Sequence, residues 1–289
     1  MKKFILLAQA FWEYNLTILI LFLQELVLFT LTQLIGVFAV LRILEFPEEP
    51  RPSLDFTFNE IIFFLVFFTI FVYFLQRFSH RSAIFFKVIL GLVIFAGSQM
   101  VFSLFSGEFI ISTLAAALLS ILVLKMKIIL LHNIGMIFAL AGVGAIIGLS
   151  LTPFSVVILL IALSFYDIIA VYKTKHMVKL AEDMVKARAI SGIVLAPSLK
   201  DWAGSLENVK PGGRFMILGS GDIIMPLILI ASVIGFSNLA SGLVVLAFSL
   251  LGLFLTYYLF ITQKTRRPMA ALPPIAVMSI IGYLVSIVL

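Results

Sequence analysis

The chain has 289 residues, of which 63% are apolar and only 12% charged, with a mean hydropathy of +1.23. One membrane crossing takes about 20 apolar residues, so roughly 180 of them supply about nine crossings and a water-soluble globule of this size is excluded. The absence of cysteine rules out disulfides, thiolate metal sites and a cysteine nucleophile. A formal charge of +6 would suggest nucleic acid in a soluble domain, but in a membrane protein basic loops on the inner face account for it, and no nucleic-acid partner is expected.

The chain opens with Met1-Lys2-Lys3, a short apolar stretch from Phe4 to Leu7, and Ala8-Gln9-Ala10. That stretch is shorter than the roughly seven residues a signal peptide needs, so the N-terminus is expected to be retained. Apolar runs then predict an all-α polytopic membrane protein with spans at 15–42, 60–77, 83–105, 108–124, 128–150, 154–173, 215–236, 239–262 and 270–288. All but Arg42 and Arg51 of the 20 basic residues fall at the N-terminus or in alternate connections, with eight of them between 173 and 214. Glu45, Glu48, Glu49, Asp55 and Glu108 lie in the other connections. By the positive-inside rule the N-terminus is inside, on the cytoplasmic face, and the C-terminus outside.

Between 174 and 213 lies the only long polar segment, and it divides the expected membrane unit into spans over 1–175, an inner connection over 176–213 and spans over 214–289. Met177, Leu180, Ala181, Met184 and Ala187 recur at helical spacing opposite Lys179, Glu182, Asp183 and Lys186, which predicts an amphipathic helix on the membrane surface. Pro197, Pro211, Gly212 and Gly213 predict flexible chain after it. No internal repeat is visible.

Three acids fall in the interior of predicted spans, away from their ends: Glu25, Asp167 and Asp222. Ionisable groups in hydrocarbon mark functional sites by default. Asp167 precedes Lys173 by six residues and Asp222 follows Arg214 by eight, so at about 1.5 Å per residue both lie roughly 9 to 12 Å inside the inner boundary. Their spans run antiparallel, and the two carboxyls can face each other. Gly219 and Gly221 are expected to let another backbone approach Asp222. Pro226 removes the donor that the Asp222 carbonyl would otherwise accept from.

Two adjacent carboxyls in a site of low dielectric share one proton. One can activate water while its protonated partner donates to a scissile carbonyl, with no cofactor and no metal. The same pair can also hold two helices together, or relay protons or cations.

Tyr166-Asp167, Gly219-Ser220-Gly221-Asp222 and Ala271-Leu272-Pro273 resemble the YD, GxGD and PAL motifs of the presenilin and signal peptide peptidase family, in the same order and over essentially the whole chain. The resemblance implies an intramembrane aspartyl endoprotease with Asp167 and Asp222 as the catalytic pair. Tyr166, Gly219, Ser220, Gly221, Ala270, Ala271, Leu272 and Pro273 support the site in this reading. It also implies substrates that are transmembrane helices of other proteins in the bilayer, unwound and paired as a strand with enzyme backbone. The N-inside orientation is similar to that of presenilins, and the short inner connection is similar to minimal prokaryotic homologues that need no partner subunits. The rival reading is a proton-coupled transporter or cation channel using the same carboxylates.

Where the PAL pattern has its proline, this chain has Ala270, with Pro268, Pro273 and Pro274 nearby. Alanine favours helix, so the last span is expected to start early and Ala270→Pro to raise cleavage. Glu25, with Gln24 and Gln33 on the same span, is expected to be a protonated or hydrogen-bonded structural group. Ser220 has only His132 as a base within a span, and no third group orients it, so a serine mechanism is set aside. The chain contains no H-E-x-x-H, and the many phenylalanines are read as lipid-facing bulk.

Overall fold

The computed structural model describes residues 2–45, 60, 63, 66, 79–174, 176–210, 214–263 and 268–289. The helices are α1 (Lys2–Glu45), α2 (Ser79–Ser106), α3 (Phe109–Met126), α4 (Ile129–Ser150), α5 (Pro153–Ile168), α6 (His176–Ala187), α7 (Ser220–Phe236), α8 (Leu239–Ile261) and α9 (Leu272–Val288). A π-helical turn, Ile169–Lys173, continues α5. Six helical segments among the described residues are long and apolar enough to cross a membrane, and α7 and α9 are shorter apolar helices. The expected span 60–77 lies, apart from residues 60, 63 and 66, outside the described residues.

Local chemistry sets the helix ends. At α5, Thr152 caps the first turn by accepting from Ser155 N–H, and Pro153 follows where a missing donor costs nothing. At α8, the Asn238 carboxamide accepts from Ser241 N–H at 2.9 Å. Between α2 and α3, Gly107 takes φ +66° in open space, a left-handed turn that suits glycine.

Because lipid is as apolar as leucine, burial alone does not drive spans together, and close backbone packing has to. Gly97 of α2 and Gly142 of α4 face each other so closely that a Cβ on either would overlap the other helix's backbone. Gly252 of α8 meets Pro274 and Ile275 of α9 in the same manner. The core falls into a small cluster around Ile129, Val194 and Leu206 and two larger ones. The one containing Phe29, Ile94, Met136, Ile223 and Leu253 is continuous with the inner connection through Ile193, Leu195 and Leu218. The other gathers Val156, Leu160, Leu229, Val245 and Ala276.

The inner connection departs from the expected flexible chain. The helix at His176–Ala187 is present, but β1 (Gly192–Leu195) and β2 (Met216–Gly219) follow it as an antiparallel pair, with short 3₁₀ turns at Leu199–Ala203 and Leu206–Asn208 between them. Pro211, Gly212 and Gly213 lie outside the described residues. Strand β2 also occupies the first part of the expected span 215–236, so the helix begins only at Ser220. A four-residue apolar strand running straight into an apolar helix has no periodicity of its own, which is why the two read as one span. This connection is tied to the α3–α4 turn: Leu206 N–H donates to Lys127 O at 2.7 Å and Ile129 N–H to Gly204 O at 3.1 Å. Glu207 pairs there with Arg188 at 2.6 Å and Lys127 at 3.5 Å.

The last span also differs from expectation. Helix α9 starts at Leu272 rather than 270, with Ala271 as its N-cap and Pro273 in the first turn. Ala270 is non-helical and buried. Its helix propensity is overridden by Pro273 and Pro274: a helix reaching back to 269 and 270 would need their missing N–H groups as donors to the carbonyls four residues earlier, and their rings would clash with those carbonyls.

Candidate active site

Asp167 lies in the last turn of α5, just before the π-helical turn, and Asp222 in the first turn of α7. Both are half-buried and within electrostatic range of each other. The helical ruler that gave them equal depth does not apply to Asp222, since residues 216–219 are extended. What brings the two acids together is the strand–helix junction, which delivers Asp222 at the very start of α7.

Each carboxyl is addressed by a main-chain donor from a neighbouring motif. The backbone N–H of Leu272, the first residue of α9, bonds Asp167. The backbone N–H of Gly219, the last residue of β2, bonds Asp222. The PAL-like and GxGD-like segments therefore meet at the pair through their backbones. Ala271 and Pro273 flank that Leu272 donor.

The two motif glycines act otherwise than the sequence suggested. A Cβ on Gly219 would lie 3.0 Å from the Asp222 Oδ2, so this glycine clears space for the acid's own side chain rather than for another helix. Gly221 is exposed, and a Cβ there would meet nothing within 4 Å, so no backbone packs against it. Pro226 lies inside α7 as expected. In its neighbourhood the Gln33 amide of α1 donates to Ile223 O at 2.9 Å, supporting a helix whose ladder lacks one donor.

Tyr166 is half-buried beside Asp167. The Ser220 hydroxyl pairs with that of Ser191 at 3.0 Å, while His132 Nε2 lies 3.0 Å from Gly192 O, so no base touches the serine. Glu25 is 3% exposed and within electrostatic range of Asp222 and of Tyr257 on α8. It thus lies near Asp222, which its place in the sequence did not indicate. Among the described residues no group of three or more His, Asp or Glu side chains is placed to hold a metal ion.

Residues unremarked as site groups hold the hairpin beside the pair. The Asn133 carboxamide of α4 donates to Val194 O at 2.7 Å and accepts from Val194 N–H at 2.9 Å. Gln24 of α1 donates to Ala196 O at 2.9 Å and accepts from Ala196 N–H at 3.1 Å and from the Trp202 indole at 3.2 Å. No local signal could have exposed these contacts, which link residues 61 and 172 positions apart.

The alternation of an antiparallel ladder then decides which groups of β2 are open. Gly192, Val194 and Ala196 direct their backbone toward those side chains, so Ile193 and Leu195 face β2, where they pair with Leu218 and Met216. Ile217 and Gly219 point the other way. The Gly219 donor that bonds Asp222 lies on that far edge, so Asp222 stands beside the open side of the sheet.

The model of the family described as signal-peptide peptidase, presenilin aspartyl protease matches residues 14–289. Two solved structures of a presenilin family intramembrane aspartate protease, in C222 and P2 space groups, are similar to this chain. The first has 26% identity and a TM-score of 0.60, covering 91% of this chain and 95% of the other. The second has 26% identity and a TM-score of 0.62, covering 92% and 97%. Among curated proteins no significant match is found. With essentially its whole length matched, the chain belongs to the signal-peptide peptidase and presenilin aspartyl protease family.

Proposed function

We propose that Asp167 and Asp222 are the catalytic pair of this intramembrane aspartyl protease. The observation that carries the assignment is their position: two half-buried carboxyls in electrostatic range, each bonded by one main-chain donor, with Asp222 at the open edge of a two-stranded sheet. One proton shared between them lets the ionised carboxyl take a proton from water while the other donates to the scissile carbonyl oxygen. Oxygen attacks carbon, the C–N bond breaks, and the proton first taken from water passes to the departing amine.

Substrates in this reading are transmembrane helices of other membrane proteins, with no cofactor and no obligate partner subunit. A helical peptide bond is shielded by its own ladder, so the substrate must unwind. Ile217, with its backbone directed to the open edge and its side chain partly exposed, offers an extended segment the pairing it loses on unwinding. Water reaches the pair from the inner side, where the hairpin lies. The basic connections support a cytoplasmic position for that side and for the N-terminus, with the C-terminus outside. No observation favours a transport relay.

The test is cleavage of a transmembrane reporter by the purified protein, compared with Asp167→Asn and Asp222→Asn. Either variant retaining substantial cleavage overturns the pair. Orientation is tested by labelling 176–210 in sealed vesicles, where reactivity from the outer face overturns it.

A further inference from the structure

Strand β1 has two edges, and only one is taken by β2. The other would expose the backbone of Gly192, Val194 and Ala196. It is closed by side chains instead. His132 Nε2 meets Gly192 O, the Asn133 carboxamide meets both polar groups of Val194, and the Gln24 carboxamide meets both of Ala196. A carboxamide carries a donor and an acceptor on one rigid plane, as a peptide unit does. Asn133 and Gln24 therefore present to β1 what a neighbouring strand would present. They are held by helices from both sides, α4 through Asn133 and α1 through Gln24, and all five contacts lie between 2.7 and 3.1 Å.

His132 and Asn133 are fully buried and Gln24 partly so, a placement that is costly in a membrane protein without bonds to their polar groups; of these groups only His132 Nδ1 is left without a partner. A structural account would need the residues to tie helices to one another. These bond hairpin backbone, at every second residue along one edge, beside the pair. We infer that Gln24, His132 and Asn133 are positioning residues that act as a surrogate outer strand: they close β1 to strand addition and fix the hairpin's register, so that an unwound substrate can pair only with β2, at the edge where Asp222 stands. This rests on the reading that the substrate is cut as an added strand.

The consequence is a single cleavage register. Pairing confined to Ile217 fixes which substrate carbonyl lies opposite Gly219 and the acids. If β1 is released on its outer side, the hairpin can shift, and the bond presented to the acids shifts with it.

The experiment uses the full chain and one transmembrane reporter, with fragments mapped by mass spectrometry and rates normalised to folded enzyme. Asn133→Leu removes both bonds to Val194 at similar volume, and Gln24→Leu removes both to Ala196. Each is expected to spread cleavage over bonds neighbouring the main site and to lower kcat on the order of tenfold, as misplacement of reacting groups does, with KM changed far less. Asn133→Gln, which keeps the carboxamide, is expected to restore part of the single-site pattern.

A purely structural role would lower Tm and the yield of folded enzyme but leave the fragment pattern intact. That pattern, with an unchanged rate per folded molecule, overturns the inference. Should Asn133→Leu fail to fold, Gln24→Leu decides by the same criterion. Cleavage surviving in Asp222→Asn overturns the catalytic assignment alone, because the fragment pattern still reports the register. A wild type that leaves the reporter uncut overturns both.

Discussion

From Met225 to Ile234, α7 is buried on every side, whereas α5 turns Phe154, Ile161 and Phe165 to the lipid. Helix α7 packs against α1, α4, α5, α8 and α9; α5 rests on α7, α9 and its own π-helical turn. The two acids thus reach one site from unlike supports. Asp222 is set by the enclosed core of the bundle and by the strand that leads into it. Asp167 is set by a peripheral helix and by one main-chain donor from α9. A site assembled in this way concentrates its dependence on packing in one half.

The largest effect tests whether the two halves contribute equally to the chemistry. Asp167→Asn and Asp222→Asn are each expected to remove at least about 10³-fold of cleavage, because each acid has its own part in proton transfer. The double variant should be no worse than either single one, since the two act as a unit. Activity of the wild type should follow a bell-shaped pH profile, as expected where one proton is shared between two groups. If only the α7 acid proves essential, the peripheral half is a scaffold and the pairing is wrong.

A second test separates the two glycines ahead of Asp222. Gly219 has φ −62° and ψ 145°, open to any residue, so Gly219→Ala introduces no backbone strain. Its Cβ would stand 3.0 Å from Asp222 Oδ2 and push the carboxyl aside. Cleavage is expected to fall by on the order of 10²-fold while Tm holds, in line with the cost of misplacing a reacting group. Gly221→Ala meets open space and should stay close to wild type. Equal losses from the two substitutions would mean that the motif serves helix packing after all.

A smaller effect compares the supports through stability alone. Leu227 is fully buried against Gly36 and Gly144, so Leu227→Ala leaves a cavity between three helices. The expected loss is about 2 kcal/mol, the low end for buried leucine because the unfolded reference in lipid is equally apolar. Phe165→Ala on α5, 65% exposed to lipid, should change Tm little. Comparable losses would show that α5 is as constrained as α7.

The asymmetry between the halves also governs what could be read from sequence. Long apolar spans announce themselves by composition, and Asp167 and Asp222 stand out because charges are rare among them. The amphipathic face of α6 follows from its period. Strand β1 is buried at all four residues and has no alternation to detect. Strand β2 merges into α7. The side chains that close β1, Gln24 and Asn133, bond to backbone far away in sequence, and neither Glu25 nor Gly221 carries any local mark of its surroundings. Residues that define the site by chemical type were legible; those that define it by long-range placement were not.

The smallest effect concerns the side of the site nearest Asp167, where Ala270 precedes α9. An alanine here was expected to extend the helix and draw backbone away from the site, making Ala270→Pro an activating change. In the structure residues 268–271 are already non-helical, and Pro273 fixes the start of α9 at Leu272, whose N–H bonds Asp167. Proline at 270 has no helix to break and leaves the Leu272 donor in place. Its remaining effect is on the unfolded chain, which loses freedom and favours folding by roughly 0.5 kcal/mol where the native angles suit the ring. Ala270→Pro is therefore expected to raise Tm slightly and leave the cleavage rate unchanged, measured side by side on one reporter in the same bilayer. A lower Tm would show that this buried position has no room for the ring. A faster rate at equal Tm would show that the segment before α9 still moves relative to Asp167, and that the peripheral half of the site, rather than the enclosed one, limits turnover.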